Sequence, residues 1–157
     1  MLNLIGVHEC KMDAKGRVMI PAALKKQLLP VLEQGFVVKR SVFQKCLELY
    51  PMSAWNQTMN KVNKLNRFVK KNNDFIRMFT AGVKLVEMDA SGRLNIPKDL
   101  MVFANLKSTL VLSSAVDKIE FWNKEAYEKS INNPEVDFGQ LAEDVMGSLN
   151  EGDNGVS

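Results

Sequence analysis

Two arginines draw attention because each follows an aspartate and a glycine at the same spacing. Asp13, Gly16 and Arg17 form one Asp-x-x-Gly-Arg motif, and Asp89, Gly92 and Arg93 form a second. The chemistry open to such a set is recognition. An Asp at the head of a tight turn accepts backbone N–H bonds, and a Gly at its end takes a left-handed conformation without a Cβ clash. The guanidinium that follows is a planar fork of N–H donors, suited to a carboxylate, a phosphate or the edge of a guanine. Each arginine therefore has two readings. It pairs with the Asp four residues earlier and fixes the turn, or it reaches out to a polyanion.

Little else in the chain offers bond-making chemistry. The only histidine, His8, lies in a strand-like segment with no partner at metal-ligand spacing. Cys10 and Cys46 are too far apart for a CxxC motif and read as buried, reduced thiols. There is no G-x-S-x-G elbow and no glycine-rich phosphate loop. No enzyme activity, metal, cofactor or small-molecule substrate is expected. Asp13 and Asp89, with Gly16 and Gly92, read as turn formers and not as catalytic acids.

The elements that hold the two motifs come from a repeat. "MDAKGRVMIP" at 12–21 and "MDASGRLNIP" at 88–97 agree at seven of ten positions, with an offset of 76. In each copy a short strand enters an Asp-to-Gly turn and a second strand leaves it. Pro21 and Pro97 end that strand and suit the start of a helix. Leu24 and Leu28 lie on one face of that first helix, and Pro30 stops it. "FVVKR" and "LVLSS" then read as strands, and "CLELYPMSAW" matches "IEFWNKEAY" at an offset of 72, as though the second copy had lost four residues in between. A unit of about fifty residues rarely buries enough apolar surface to stand alone, and two copies are too few for a solenoid. The expected fold is α+β, mainly β: a pseudo-twofold barrel that both copies complete. Its parts are a first repeat over 7–54, a helical connector over 55–82, a second repeat over 83–126, and an acidic tail over 134–157 that forms a weak helix and then loses order.

In the connector, Met52, Trp55, Met59, Val62 and Leu65 recur at helical spacing, and Phe75, Ile76 and Phe79 suggest a second helix. The apolar stripe reads as a contact between helices or subunits. Lys61, Lys64, Arg67, Lys70 and Lys71 form a run with no acid among them, either a solvated face or a phosphate-contacting one.

Charge is distributed unevenly. Residues 1–80 carry 14 basic against 5 acidic side chains, residues 81–132 carry 7 of each, and residues 133–157 carry 6 acids and no base. The first copy thus offers a polyanion-facing surface. Lys15 lies inside the first turn and Lys11 just before it, whereas Ser91 takes the place of Lys15 in the second. Arg17, with Lys15 and Lys11, is assigned to double-stranded DNA, entering the major groove on a two-stranded ribbon. Arg93 reads chiefly as the ion-pair partner of Asp89 and secondarily as a DNA contact.

The doubled D-x-x-G-R-x-x-[IV]-P unit, "LELYPMSAW" and "DFIRMFTAG" together resemble the MraZ family of bacterial transcriptional regulators, built from two SpoVT-AbrB-type repeats. The resemblance covers roughly residues 1–145. It implies a swapped-hairpin barrel and a ring-like homo-oligomer that binds repeated promoter sites upstream of the division and cell-wall gene cluster. It also implies association with the nucleoid. The family signature falls here on Asp13, Gly16, Arg17, Asp89, Gly92 and Arg93. The first residues, "MLNLIGVHECK", have neither the basic start nor the long apolar stretch of a secretory signal, and no run is long enough to span a bilayer, so a cytoplasmic protein without membrane partners is expected. An antitoxin-like protein-binding module on a related barrel is the alternative. It would call for a longer toxin-wrapping tail.

Overall fold

The computed structural model describes residues 2–156, with side chains described through residue 149. The chain divides after Tyr127 into two compact units. In the first unit, β1 (Val7–Lys11), β2 (Arg17–Met19) and α1 (Ala22–Leu28) lead through a tighter 3-10 helix at Leu29–Gln34 to β3 (Phe36–Arg40) and β4 (Leu47–Pro51). Helices α2 (Met52–Val62) and α3 (Lys70–Phe79) follow. The second copy contributes β5 (Lys84–Val86), β6 (Arg93–Asn95), α4 (Lys98–Phe103), β7 (Thr109–Ala115) and β8 (Lys118–Asn123). Helix α5 (Lys124–Ile131) comes next, and α6 (Phe138–Val156) forms most of the second unit. The loss of order expected toward the end of the tail falls on residues whose side chains, and for residue 157 the whole residue, lie outside those described.

The strands form one six-stranded antiparallel sheet, in the order β1-β7-β8-β4-β3-β5, and a separate ribbon of β2 with β6. Strands cross between the copies. β1 pairs with β7, β5 with β3, and β4 with β8. The sheet is open, with β1 and β5 at its edges, so the closed barrel expected from the sequence is not formed by this ladder. The reason lies at the two turns. Only an isolated Met12–Val18 bridge joins the strands on either side of the first, because β2 and β6 leave the sheet to pair with each other.

The pseudo-twofold relation runs through the core. Val18 and Leu94, Ile20 and Ile96, and Leu24 and Leu100 stand 76 residues apart, and every one is at most 2% exposed. They pack with Phe36, Leu47, Leu110 and Phe121 in one apolar cluster. The Ile20 N–H donates to the Gly92 carbonyl at 3.0 Å, and the Ile96 N–H to the Gly16 carbonyl at 2.9 Å, so each copy holds the other's turn. The register refines the reading of the lost residues. Val37 pairs with Tyr50 across twelve intervening residues and Val111 with Trp122 across ten, so two of the four lost residues fall within this hairpin. Part of the deletion is therefore at this hairpin tip and the rest lies between the first helix of the repeat and its next strand.

Glu48 faces Glu120 at the β4–β8 junction. Glu48 accepts the Tyr50 hydroxyl at 3.0 Å and the Lys118 ammonium at 2.7 Å. The ammonium of Lys39, a residue only 1% exposed, lies 3.6 Å from the same carboxylate. Glu120 accepts the Trp122 indole N–H at 3.1 Å, the counterpart of the Tyr50 bond. A buried charge survives only when paired, and Glu48 is paired with Lys39 of its own copy and Lys118 of the other.

Candidate nucleic-acid interface

Each Asp-x-x-Gly-Arg motif is a self-contained turn. Asp13 Oδ1 accepts the backbone N–H groups of Lys15 and Arg17, both at 2.9 Å, and its Oδ2 accepts Arg17 Nε at 2.6 Å. Asp89 repeats the pattern with Ser91 and Arg93 at 2.9 Å and with Arg93 Nε at 3.0 Å. Gly16 and Gly92 close the turns at φ +83° and +82°, where a Cβ is strained. The backbone N–H of the arginine, then its guanidinium, holds the Asp13 carboxyl below the ordinary carboxylate range, and the same donors act on Asp89. Both acids stay ionised and act as turn formers.

The ion pair consumes only Nε. The terminal nitrogens of Arg17 and Arg93 take no partner among the described residues, and the side chains are 35% and 32% exposed. Each arginine is thus anchored to its turn through Nε. The contrast expected from the sequence, Arg17 outward and Arg93 mainly paired, has no counterpart in this local geometry.

The ribbon brings the two arginines together. β2 pairs with β6 antiparallel, Arg17 opposite Asn95, Val18 opposite Leu94 and Met19 opposite Arg93. Side chains alternate across a strand. Val18 and Leu94 turn inward with no exposure. Arg17, Met19, Arg93 and Asn95 therefore share the opposite face, and Met19 is half exposed. The expected ribbon was a hairpin within the first copy; the observed one takes a strand from each. Met19 and Asn95 escaped the sequence reading, although alternation from Arg17 and Arg93 is a signal that could have found them.

The expected lysines are held differently from each other. Lys11 ends β1 and donates to the Thr109 hydroxyl at 2.9 Å. Lys15 is exposed in the first turn and, with Lys84 and Lys98, lines a depression floored by Met101. Lys84 and Lys98 belong to the second copy and were also missed. In the connector the basic run is partly consumed locally. Asp74 pairs with Lys70 at 2.7 Å and with Arg77 at 3.1 Å, and Arg67 donates to the Asn63 side chain. Trp55 stacks on Phe79 at 6.1 Å and meets Tyr50 edge-on at 5.6 Å, so part of the stripe of α2 is covered within the chain.

Comparison with known proteins agrees with the duplication. A family model described as "MraZ protein, putative antitoxin-like" matches twice, over residues 4–78 and 78–147. A protein of Flavobacterium psychrophilum named "Transcriptional regulator MraZ" is 60% identical over 157 residues, covering both chains completely. One of the same name from Christiangramia forsetii is also 60% identical over both full lengths. A third, from Bacteroides thetaiotaomicron, is 37% identical over 154 residues, or 98% of each chain. The class these relatives and the doubled fold define is a two-repeat α+β transcriptional regulator, not an enzyme. The chain belongs to the MraZ family.

Proposed function

We propose that this protein regulates transcription by sequence-specific binding of double-stranded DNA, with the β2–β6 ribbon in the major groove. The observation that carries this reading is the shared outward face of Arg17 and Arg93, each fixed through Nε with its fork free. A two-stranded antiparallel ribbon fits that groove, and an oriented guanidinium reads guanine. Lys15, Lys84, Lys98 and Lys11 supply the phosphate attraction around it. The family resemblance supports repeated promoter sites of the division and cell-wall gene cluster as the target, and cytoplasmic, nucleoid-associated protein assembled into a ring-like homo-oligomer. Within each subunit the strand exchange between the two repeats supports a swapped-hairpin arrangement. No helix among the described residues is long and apolar enough to cross a membrane.

The test is a salt-titrated binding series on DNA from upstream of the organism's own division cluster, with each variant checked for folding and mass. Arg17→Ala and Arg93→Ala should each weaken cognate binding by about 1–3 kcal/mol. Arg17→Ala should cost more, because the lysine-rich depression surrounds its turn. Lys15→Ala should weaken all sequences alike and make the salt dependence shallower. Retention of wild-type affinity by both arginine variants would remove the ribbon from the interface. Capture of a protein partner with no DNA affinity would favour the antitoxin-like alternative.

A further inference from the structure

Two surfaces of opposite charge each carry exposed apolar side chains. The first is a cleft of about 460 Å³ between the tip of the β3–β4 hairpin, α3 and Phe103. Arg40 and Lys45 both sit over the Phe103 ring, at 5.0 and 4.7 Å from its centroid. The Arg40 Nε is buried with no hydrogen-bond partner. No acid lines the cleft. Two cations gathered on one ring repel each other, and an anion between them would relieve both that repulsion and the unpaired N–H. The rim is apolar: Phe43 is 91% exposed and Met78 79%. The tip that builds this wall is the hairpin loop in which the first copy is longer than the second.

The second surface is α6. Phe138, Leu141, Val145 and Leu149 follow one another at intervals of three, four and four residues, which puts them on one helical face. All four are exposed, from 46% at Leu141 to 77% at Phe138. Glu143 and Asp144 lie beside them, and residues 133–157 hold six acids and no base. A helix with this apolar stripe is stable only when the stripe is covered.

We propose that α6 of one copy docks, stripe inward, in the basic aromatic cleft of a second copy. Charge complementarity carries the choice of occupant: an acidic helix with an aromatic end meets a cationic cleft with an apolar rim. Both faces carry exposed apolar side chains, and the docking is assigned to a second copy because the proposed assembly is a homo-oligomer. A tail-to-cleft contact joins unlike surfaces, and such heterologous contacts run head to tail and form a ring where the rotation between neighbours closes. The inference rests on the homo-oligomer of the proposed function and names the contact that straps it.

The experiment uses the full-length chain. Protein bearing Phe43→Cys is mixed with protein bearing Val145→Cys under oxidised glutathione, and disulfide-linked pairs of chains should form between the two kinds. Sedimentation at micromolar concentration should show truncation after Asn133 lowering the mass toward that of one truncated chain, below the 17.7 kDa of the full-length chain. Lys45→Glu and Asp144→Lys should each raise the dissociation constant about tenfold, and the two together should restore it. If truncation leaves the oligomer intact and the mixed chains do not cross-link, the strap is overturned while self-association stands. If cysteines placed together in one chain link only within that chain, docking is internal and the inference fails. If the full-length protein is itself a monomer, both this inference and the ring reading fall.

Discussion

Replacing Gly16 with alanine should cost more stability than replacing Gly92, although both glycines close the same turn. Their φ angles are +83° and +82°, so each substitution meets the same left-handed penalty of about 1–2 kcal/mol. What surrounds the new methyl differs. At Gly92 it meets the Lys25 ammonium at 2.9 Å, the far end of a flexible chain that can swing toward water. At Gly16 it meets Met101 Sδ at 2.9 Å and the Ile96 carbonyl oxygen at 3.1 Å. The sulfur can move, but the carbonyl is backbone, and Ile96 is 2% exposed and bonded back to Gly16 through its own N–H. Overpacking of this kind adds about 1–3 kcal/mol. Gly16→Ala should therefore lose about 2–5 kcal/mol and Gly92→Ala about 1–2 kcal/mol. Equilibrium denaturation in urea measures both, at one fixed protein concentration because assembly shifts the midpoint. An equal loss, or a larger one at Gly92, would refute the reasoning that the Ile96 carbonyl is a rigid wall.

Other consequences can be checked in the same way. Glu48→Gln should destabilise the protein by about 3–5 kcal/mol in denaturant titration, because it leaves the buried Lys39 ammonium without its counter-charge. Burial pushes the Cys46 thiol up to about 12, so a thiol reagent at neutral pH should label it only as the chain unfolds; rapid labelling of the native protein would contradict its placement. The folded-state values of Asp13 and Asp89 lie below their unfolded ones. Their contribution to stability is then present above the ordinary carboxylate range and is lost as pH falls through the depressed values. Asp13→Asn and Asp89→Asn should each flatten that acid limb of a melting-temperature profile, and an unaltered limb would show that the turn carboxylates do not set it.

Much of the site was legible because its chemistry is local. An Asp that caps the N–H groups two and four residues on, and a Gly that must take positive φ, lie within a five-residue stretch, so Asp13–Arg17 and Asp89–Arg93 declare their turns without reference to the rest of the chain. The shared inward face of Leu24 and Leu28 follows from helical period, and both are buried. The duplication follows from identity at a constant offset, and it already requires the copies to share one core. Tertiary structure decided which strand pairs with which. A three-residue strand such as Arg17–Met19 exposes the same backbone donors and acceptors to any neighbour, and the packing of Val18 against Leu94 sends it to β6, not back along β1. That choice opened the sheet and put Arg17 and Arg93 on one face, where charge counting had set them apart. It also brought Lys84 and Lys98 beside Lys15. The cleft over Phe103 belongs to the same category: the hairpin tip with Arg40 and Lys45, Phe75 of α3, and Phe103 come from separate parts of the chain, and only packing brings them together.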